Sequence, residues 1–207
     1  GIHSYRAINS WKDVRENIFT DTELTYTSLE KSYRTTIEIM NLANQIIKSY
    51  PHQEISQAEP IIRHGKLPYL AQNKKPDEII NYIQEEIGKL KENKVQSIAI
   101  IGKDLDECQK IYDLFPKKNK PQFITEDMDH YKAGTMIIPS YLTKGLEFDA
   151  VFIINFDEKY EDNELDIKLL YISMTRALHR LYLCAKATTS PLIANLDQDS
   201  YKTVEEL

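Results

Sequence analysis

Two apolar periods alternate along this chain, and their alternation predicts the layout. "ELTYTSL" (23–29) alternates apolar with threonine-rich polar positions and reads as a strand. From Thr35 to Tyr50 the period becomes helical, with Ile37, Met40, Ala43, Ile47 and Tyr50 on one face and Thr35 and Glu38 as a capping box. Pro51 closes that helix, and a long connection over 51–75 holds one short strand candidate, "LPYLAQ". Pro76 then opens a helix whose buried face is Ile79, Ile83, Ile87 and Leu90. "SIAIIG" (97–102) is apolar throughout, the pattern of a strand covered on both faces. A helix follows over 104–115, with Asp104 and Glu107 able to cap it and Pro116 stopping it. "PQFIT", "GTMIIPSY", "AVFIIN" and "RLYLCA" are four further strands, the last preceded by a helix at 165–178. From Ala187 the chain is polar apart from "PLIANL", read as a short helix.

Strands alternating with helices predict an α/β layer structure with a mostly parallel sheet flanked by helices. In such sheets ligands sit in the loops after the strand C-termini, which is where a site is first expected.

Composition narrows the class. The 207 residues, 42% hydrophobic and 28% charged, suffice for one domain with a sizeable core. A net charge of -6 argues against a protein that coats DNA non-specifically, although not against one with local nucleic-acid contacts. Cys108 and Cys184 are too few and too far apart for a disulfide framework or zinc site, and point to reduced thiols in the cytoplasm. No apolar run is long enough to span a membrane. The chain opens on "GIHSYRAINSW" without an initiator methionine, so it reads as processed or as a piece of a longer polypeptide.

Self-sufficient chemistry is missing. None of the six glycines falls in a phosphate-binding array, no His/Cys group has metal-ligand spacing, and no nucleophile elbow occurs. Three local features remain. In "LEKSYRTTIEI" (29–39), Tyr33 and Arg34 precede a helix start, a suitable place for an anion and a stacked base; the alternative is a surface arginine beside a cap. "PSYLTKGLEFDAVFII" (139–154) has Gly145 for a tight turn between Lys144 and Glu147; the alternative is a turn feeding a strand. "LLYISMTRALHRLYLCA" (169–185) puts Arg176 on an otherwise apolar helix, which demands an anion or a structural carboxylate partner.

Taken in order, the three resemble the second half of the superfamily 1 helicase motor, the UvrD/Rep/PcrA-like group. "LEKSYRTT" is similar to motif IV, with Ser32 where asparagine is common; "SYLTKGLEFDAVFI" is similar to motif V and "LLYISMTRALHRLYL" to motif VI. "GIHSYRAINSW" is similar to the stretch that follows the motif III glutamine. The resemblance implies a RecA-like fold of the 2A type: 1–22 as a linker from a preceding motor domain, 23–186 as the second motor domain, and 187–207 as a tail. It implies ATP with Mg2+ as cofactor, the Walker motifs and magnesium ligands lying on an N-terminal RecA-like domain of the same protein. Tyr33 would stack on adenine, Arg34 approach the γ-phosphate, and Arg176 act as arginine finger. Lys144, Gly145 and Glu147 would meet the ribose and phosphates, while Ser140, Tyr141 and Thr143 would face DNA. The isolated chain is then expected not to hydrolyse ATP.

Two departures qualify the match. Tyr141 stands where the family usually has a DNA-contacting histidine, and 116–134 leaves no room for a large 2B insertion. The second, with "SYRAINSW", looks closer to the DNA helicase IV/HelD-type branch, which makes RNA polymerase a partner to consider beside single-stranded or duplex DNA.

Overall fold

The apolar runs become the centre of a parallel sheet because both of their faces are covered. In the computed structural model, residues 35–48, 63–72, 75–128, 132–156, 160–186, 193 and 195–204 are described. Among them the elements are α1 (Ile37–Lys48), β1 (Tyr69–Ala71), α2 (Pro76–Glu92), β2 (Ile98–Gly102), α3 (Leu105–Leu114), β3 (Gln122–Phe123), β4 (Thr135–Pro139), β5 (Phe148–Asn155), α4 (Glu164–Met174), β6 (Ala177–Ala185) and β7 (Lys202–Thr203). The expected linker at 1–22, the expected strand at 23–29, Tyr33 and Arg34 lie outside the described residues, as do 49–62 and, apart from residue 193, 187–194.

The seven strands run in the order β3-β4-β2-β5-β6-β1-β7, with every pairing parallel. Alternation along β5 splits the core. Val151 and Ile153 face α1 and α4, while Ala150, Phe152 and Ile154 face α2 and α3. The crossover from β2 to β3 carries α3 on one face, and that from β5 to β6 carries α4 on the other, so connections diverge from the centre between β2 and β5. Gly102 is fixed by packing: a Cβ there would lie 2.8 Å from the Cys108 Sγ of α3. Cys108 and Cys184 are both buried free thiols. No described helix is long and apolar enough to cross a membrane.

Several local expectations are corrected by tertiary contacts. The helix expected to run through residue 178 stops at Met174. Phe148 is in register with Ala177, so the chain is drawn into β6 three residues earlier than the expected strand, and Thr175 and Arg176 form the turn. The capping box on α1 does not form: Thr35 Oγ donates to the Ala177 carbonyl at 2.8 Å, and Glu38 accepts from Gly65 N–H at 2.7 Å. Asp104 does cap α3, accepting from Glu107 N–H at 2.8 Å. The polar tail supplies β7, which adds to the edge of the sheet beside β1.

Candidate functional site

The C-terminal edge of the sheet, where a ligand was first expected, is closed by polar side chains bonded to one another. Lys103, following β2, meets Asp166 of α4 at 3.0 Å, with both side chains about 5% exposed (6% and 5%). Asp166 also accepts from Glu161 N–H at 2.7 Å. Glu107 receives the backbone N–H groups of Lys103 and Phe156. Ser140 donates its hydroxyl to the Lys103 carbonyl at 2.6 Å. A buried ion pair with its lone pairs filled is a structural clamp rather than an open site.

Ser140 and Tyr141 belong to that C-terminal edge, whereas Glu147 and Arg176 lie at the opposite, N-terminal edge. From Pro139 the chain returns along the α1/α4 face through a short 3-10 turn (Ser140–Thr143), with Tyr141, Leu142 and Leu146 packed on that core. Gly145 adopts φ +81 in open space, a left-handed conformation that disfavours any side chain. This delivers Glu147 to the start of β5, beside the start of β6, where Arg176 sits. The Phe148 N–H donates to the Arg176 carbonyl at 2.9 Å. The guanidinium is held by neutral oxygens: Nε donates to the Ile172 carbonyl at 3.1 Å, Nη1 to the Leu146 carbonyl at 3.1 Å and Nη2 to Thr175 Oγ at 3.4 Å. Burial lowers its pKa from the ordinary arginine value, and the field of Glu147 opposes that shift. No ion pair to Arg176 occurs among the described residues, so its orientation is fixed while its charge keeps the capacity to meet an anion.

Thr35, directly after Arg34 in sequence, bonds the Ala177 carbonyl and, at 3.4 Å, the Thr175 carbonyl. The described ends of all three motif stretches therefore meet at one point on the edge. Lys144 and Glu147 are exposed, and Tyr141, in the turn after β4, is half-buried. Burial first, then the Glu126 carboxylate, pushes the Tyr141 phenol's pKa up, so it remains a hydrogen-bond donor at neutral pH. Ser140 and Thr143 are buried, Thr143 donating to the Ser140 carbonyl at 2.7 Å, and so shape the turn rather than face solvent. The roles of Thr35 and of the Leu146 carbonyl were not read from the sequence. A threonine beside Tyr-Arg looks like a cap, and a backbone acceptor leaves no sequence signal.

Models of the UvrD-like helicase C-terminal domain match residues 27–135 and 136–184. The chain belongs to the UvrD-like helicase C-terminal domain family. A solved structure of the C-terminal domain of a possible DNA helicase from Lactobacillus plantarum WCFS1 superposes with a TM-score of 0.67 at 27% identity, covering 84% of this chain and 99% of that one. A putative ATP-dependent DNA helicase of Acanthamoeba polyphaga mimivirus is 37% identical over 49 residues, 20% of this chain and 7% of the viral protein's length. The UvrD-like match and the parallel sheet agree with the RecA-like architecture expected from the motifs.

The fit to a nucleotide divides by chemistry. Arg176, Lys144 and Glu147 present the donor and acceptor types that phosphates and a ribose need. Among the described residues no group of three or more His, Cys, Asp or Glu side chains could hold a metal ion.

Proposed function

We propose that this chain is the second motor domain of an ATP-dependent superfamily 1 DNA helicase or translocase. Its N-terminal edge completes a nucleotide cleft whose phosphate-binding loop and magnesium ligands lie on a preceding RecA-like domain of the same protein. The observation that carries the reading is the guanidinium of Arg176, oriented by three neutral oxygens at the junction of the three motif stretches. When bound, ATP supplies the transferable γ-phosphoryl group. Arg176 is the finger that meets charge developing on it, Glu147 and Lys144 bind the ribose and phosphate region around the Gly145 turn, and Tyr33 and Arg34 complete the adenine and γ-phosphate contacts. Tyr141 contacts the DNA strand. Supplying the finger from a second domain makes hydrolysis depend on closure of the cleft, which turns the ATP cycle into a domain motion.

The branch within the family is read from one connection. Only 20 residues separate α3 from β4, and they contain a 3-10 turn and β3, so no large domain is inserted there. This supports the DNA helicase IV/HelD-type branch, with RNA polymerase as the alternative partner. The test uses the full-length polypeptide, measuring ATPase with single-stranded DNA and with RNA polymerase. Arg176→Ala is expected to lower kcat by about 10³ or more while nucleotide binding changes far less. Unchanged turnover would remove Arg176 from the mechanism; stimulation by polymerase and not by DNA would move the protein to the alternative.

A further inference from the structure

On the α2 face of the same sheet edge lies a cavity of about 730 Å³, distinct from the Arg176 junction on the α1/α4 face. Its volume is in the range of small-ligand sites. The C-terminal half of α2 forms one wall and the starts of β1, β5 and β6 the other.

Its lining is net positive, with four cations and two carboxylates. The two acidic side chains in the lining are engaged. Glu86 pairs with Lys89 at 2.7 Å and accepts from Tyr182 OH at 3.1 Å. Asp149 accepts from Gln96 N–H, Ser97 N–H and Ser97 Oγ at 3.0 to 3.1 Å. Of the basic ones, Lys89 is paired with Glu86 and the other three are not paired with a carboxylate among the described residues. Lys66 and Lys94 are exposed, and half-buried Arg180 donates to the neighbouring His179 carbonyl at 2.9 Å; none of the three has an ion pair among the described residues. Lys94 holds φ +62, an unusual conformation for lysine, in the turn that ends α2 and lines the cavity. Lys66, Lys89, Lys94 and Arg180 thus face only Glu86 and Asp149 in this lining, a net positive cavity in a chain of net charge -6. An aromatic surface accompanies them: Tyr69, half-buried, stacks on Tyr182 with centroids 5.2 Å apart and planes 13° from parallel.

We infer that this cavity binds the backbone of a single-stranded nucleic acid, with Lys66, Lys94 and Arg180 on successive phosphates and Tyr69 offering its ring to a base. Cations tracking a backbone beside an aromatic platform are the components of strand binding without sequence preference. The inference rests on the reading of the protein as a DNA motor and adds a second strand contact, on the face away from Tyr141.

Fluorescence anisotropy of a labelled oligo-dT with the full-length polypeptide, titrated over salt, tests it. Each phosphate neutralised on a single strand contributes about 0.7 to the log–log salt slope. The triple variant Lys66→Gln/Lys94→Gln/Arg180→Gln is expected to lose about two units of slope and at least tenfold in affinity, with an unchanged melting profile. Arg180→Lys in place of Arg180→Gln is expected to restore part of the slope. An unaltered slope, or no binding by the wild type, overturns the inference. Competition by polyglutamate or inorganic phosphate equal to that by unlabelled oligo-dT also overturns it, since the cavity would then take acidic peptides or free anions. Arg176→Ala distinguishes the two readings: it should abolish turnover and leave the salt slope intact, so either claim can fail while the other stands.

Discussion

Arg176 and Leu146 are joined side chain to backbone, the guanidinium Nη1 donating to the carbonyl at 3.1 Å, and the next N–H but one, that of Phe148, returns a bond to the Arg176 carbonyl at 2.9 Å. A planar fork with donors in fixed directions is needed to reach Ile172, Leu146 and Thr175 together. Arg176→Lys keeps the charge and loses that fork. ATPase of the full-length polypeptide is therefore expected to fall nearly as far as in Arg176→Ala, on the order of 10³-fold. The same lysine variant should also be less stable than wild type, by about 1.5–3 kcal/mol for each charge-assisted bond that the ammonium does not remake. Paired turnover and thermal melts check both halves. Near-normal turnover in the lysine variant would show that charge alone suffices.

Thr35 ties the motif IV stretch to the junction through its hydroxyl. Thr35→Val matches its shape and leaves the buried Ala177 carbonyl without that donor, an expected loss of about 1–3 kcal/mol. Thr35→Ser keeps the donor and should lose under half as much. Chemical denaturation of the three proteins reads the difference, and equal stabilities would make the bond irrelevant to the fold.

The sequence made the centre of this domain legible for a physical reason. Ile98–Gly102 and Ala150–Asn155 are apolar at nearly every position because helices cover both sheet faces. Pro76 and the isoleucines of α2 were equally direct. The edges were harder. Tyr69–Ala71 and Lys202–Thr203 are too short to show a period, and β7 is exposed and polar. Thr35 and Arg176 read as helical because local propensity says nothing about tertiary partners, here 142 and 30 residues away. The motif residues were readable as an ordered set, yet how they divide between the two edges was not. The rule that favours strand C-termini met a C-terminal edge already filled by Lys103 and Asp166.

That filled edge makes its own prediction. Asp166→Asn leaves Lys103 buried without its counter-charge and is expected to cost about 3–5 kcal/mol. Replacing both, as in Lys103→Met/Asp166→Leu, should recover much of the loss, since the pair's attraction mainly offsets its own desolvation. The recovery will be incomplete because Asp166 also accepts from Glu161 N–H and Asn163 Nδ2. A double variant no more stable than Asp166→Asn would show that those two bonds, and not the ion pair, hold the loop before α4.

Acid should weaken the same domain in two separable steps. Burial lowers the His179 pKa below its ordinary 6.5 and Arg63 lowers it further, with Asp149 opposing at 3.9 Å. Arg63 Nη2 donates to His179 Nδ1 at 2.7 Å, a bond that requires the ring nitrogen to be unprotonated. Between the lowered native value and 6.5 the unfolded chain binds more protons, so stability rises with pH there and is fully present above 6.5. For Asp149, burial raises the pKa, but the bonds from Ser97 and Gln96 outweigh it and the net shift is downward from 3.8. Its contribution is present above 3.8 and lost as pH falls through the lower native value. His179→Gln should therefore flatten the melting temperature between about pH 7 and 5 while leaving the decline below pH 4 in place. Asp149→Asn should lower stability throughout the neutral range and remove much of that acid decline. Parallel curves for wild type and His179→Gln from pH 7 to 5 would rule out His179 as the origin of the upper step.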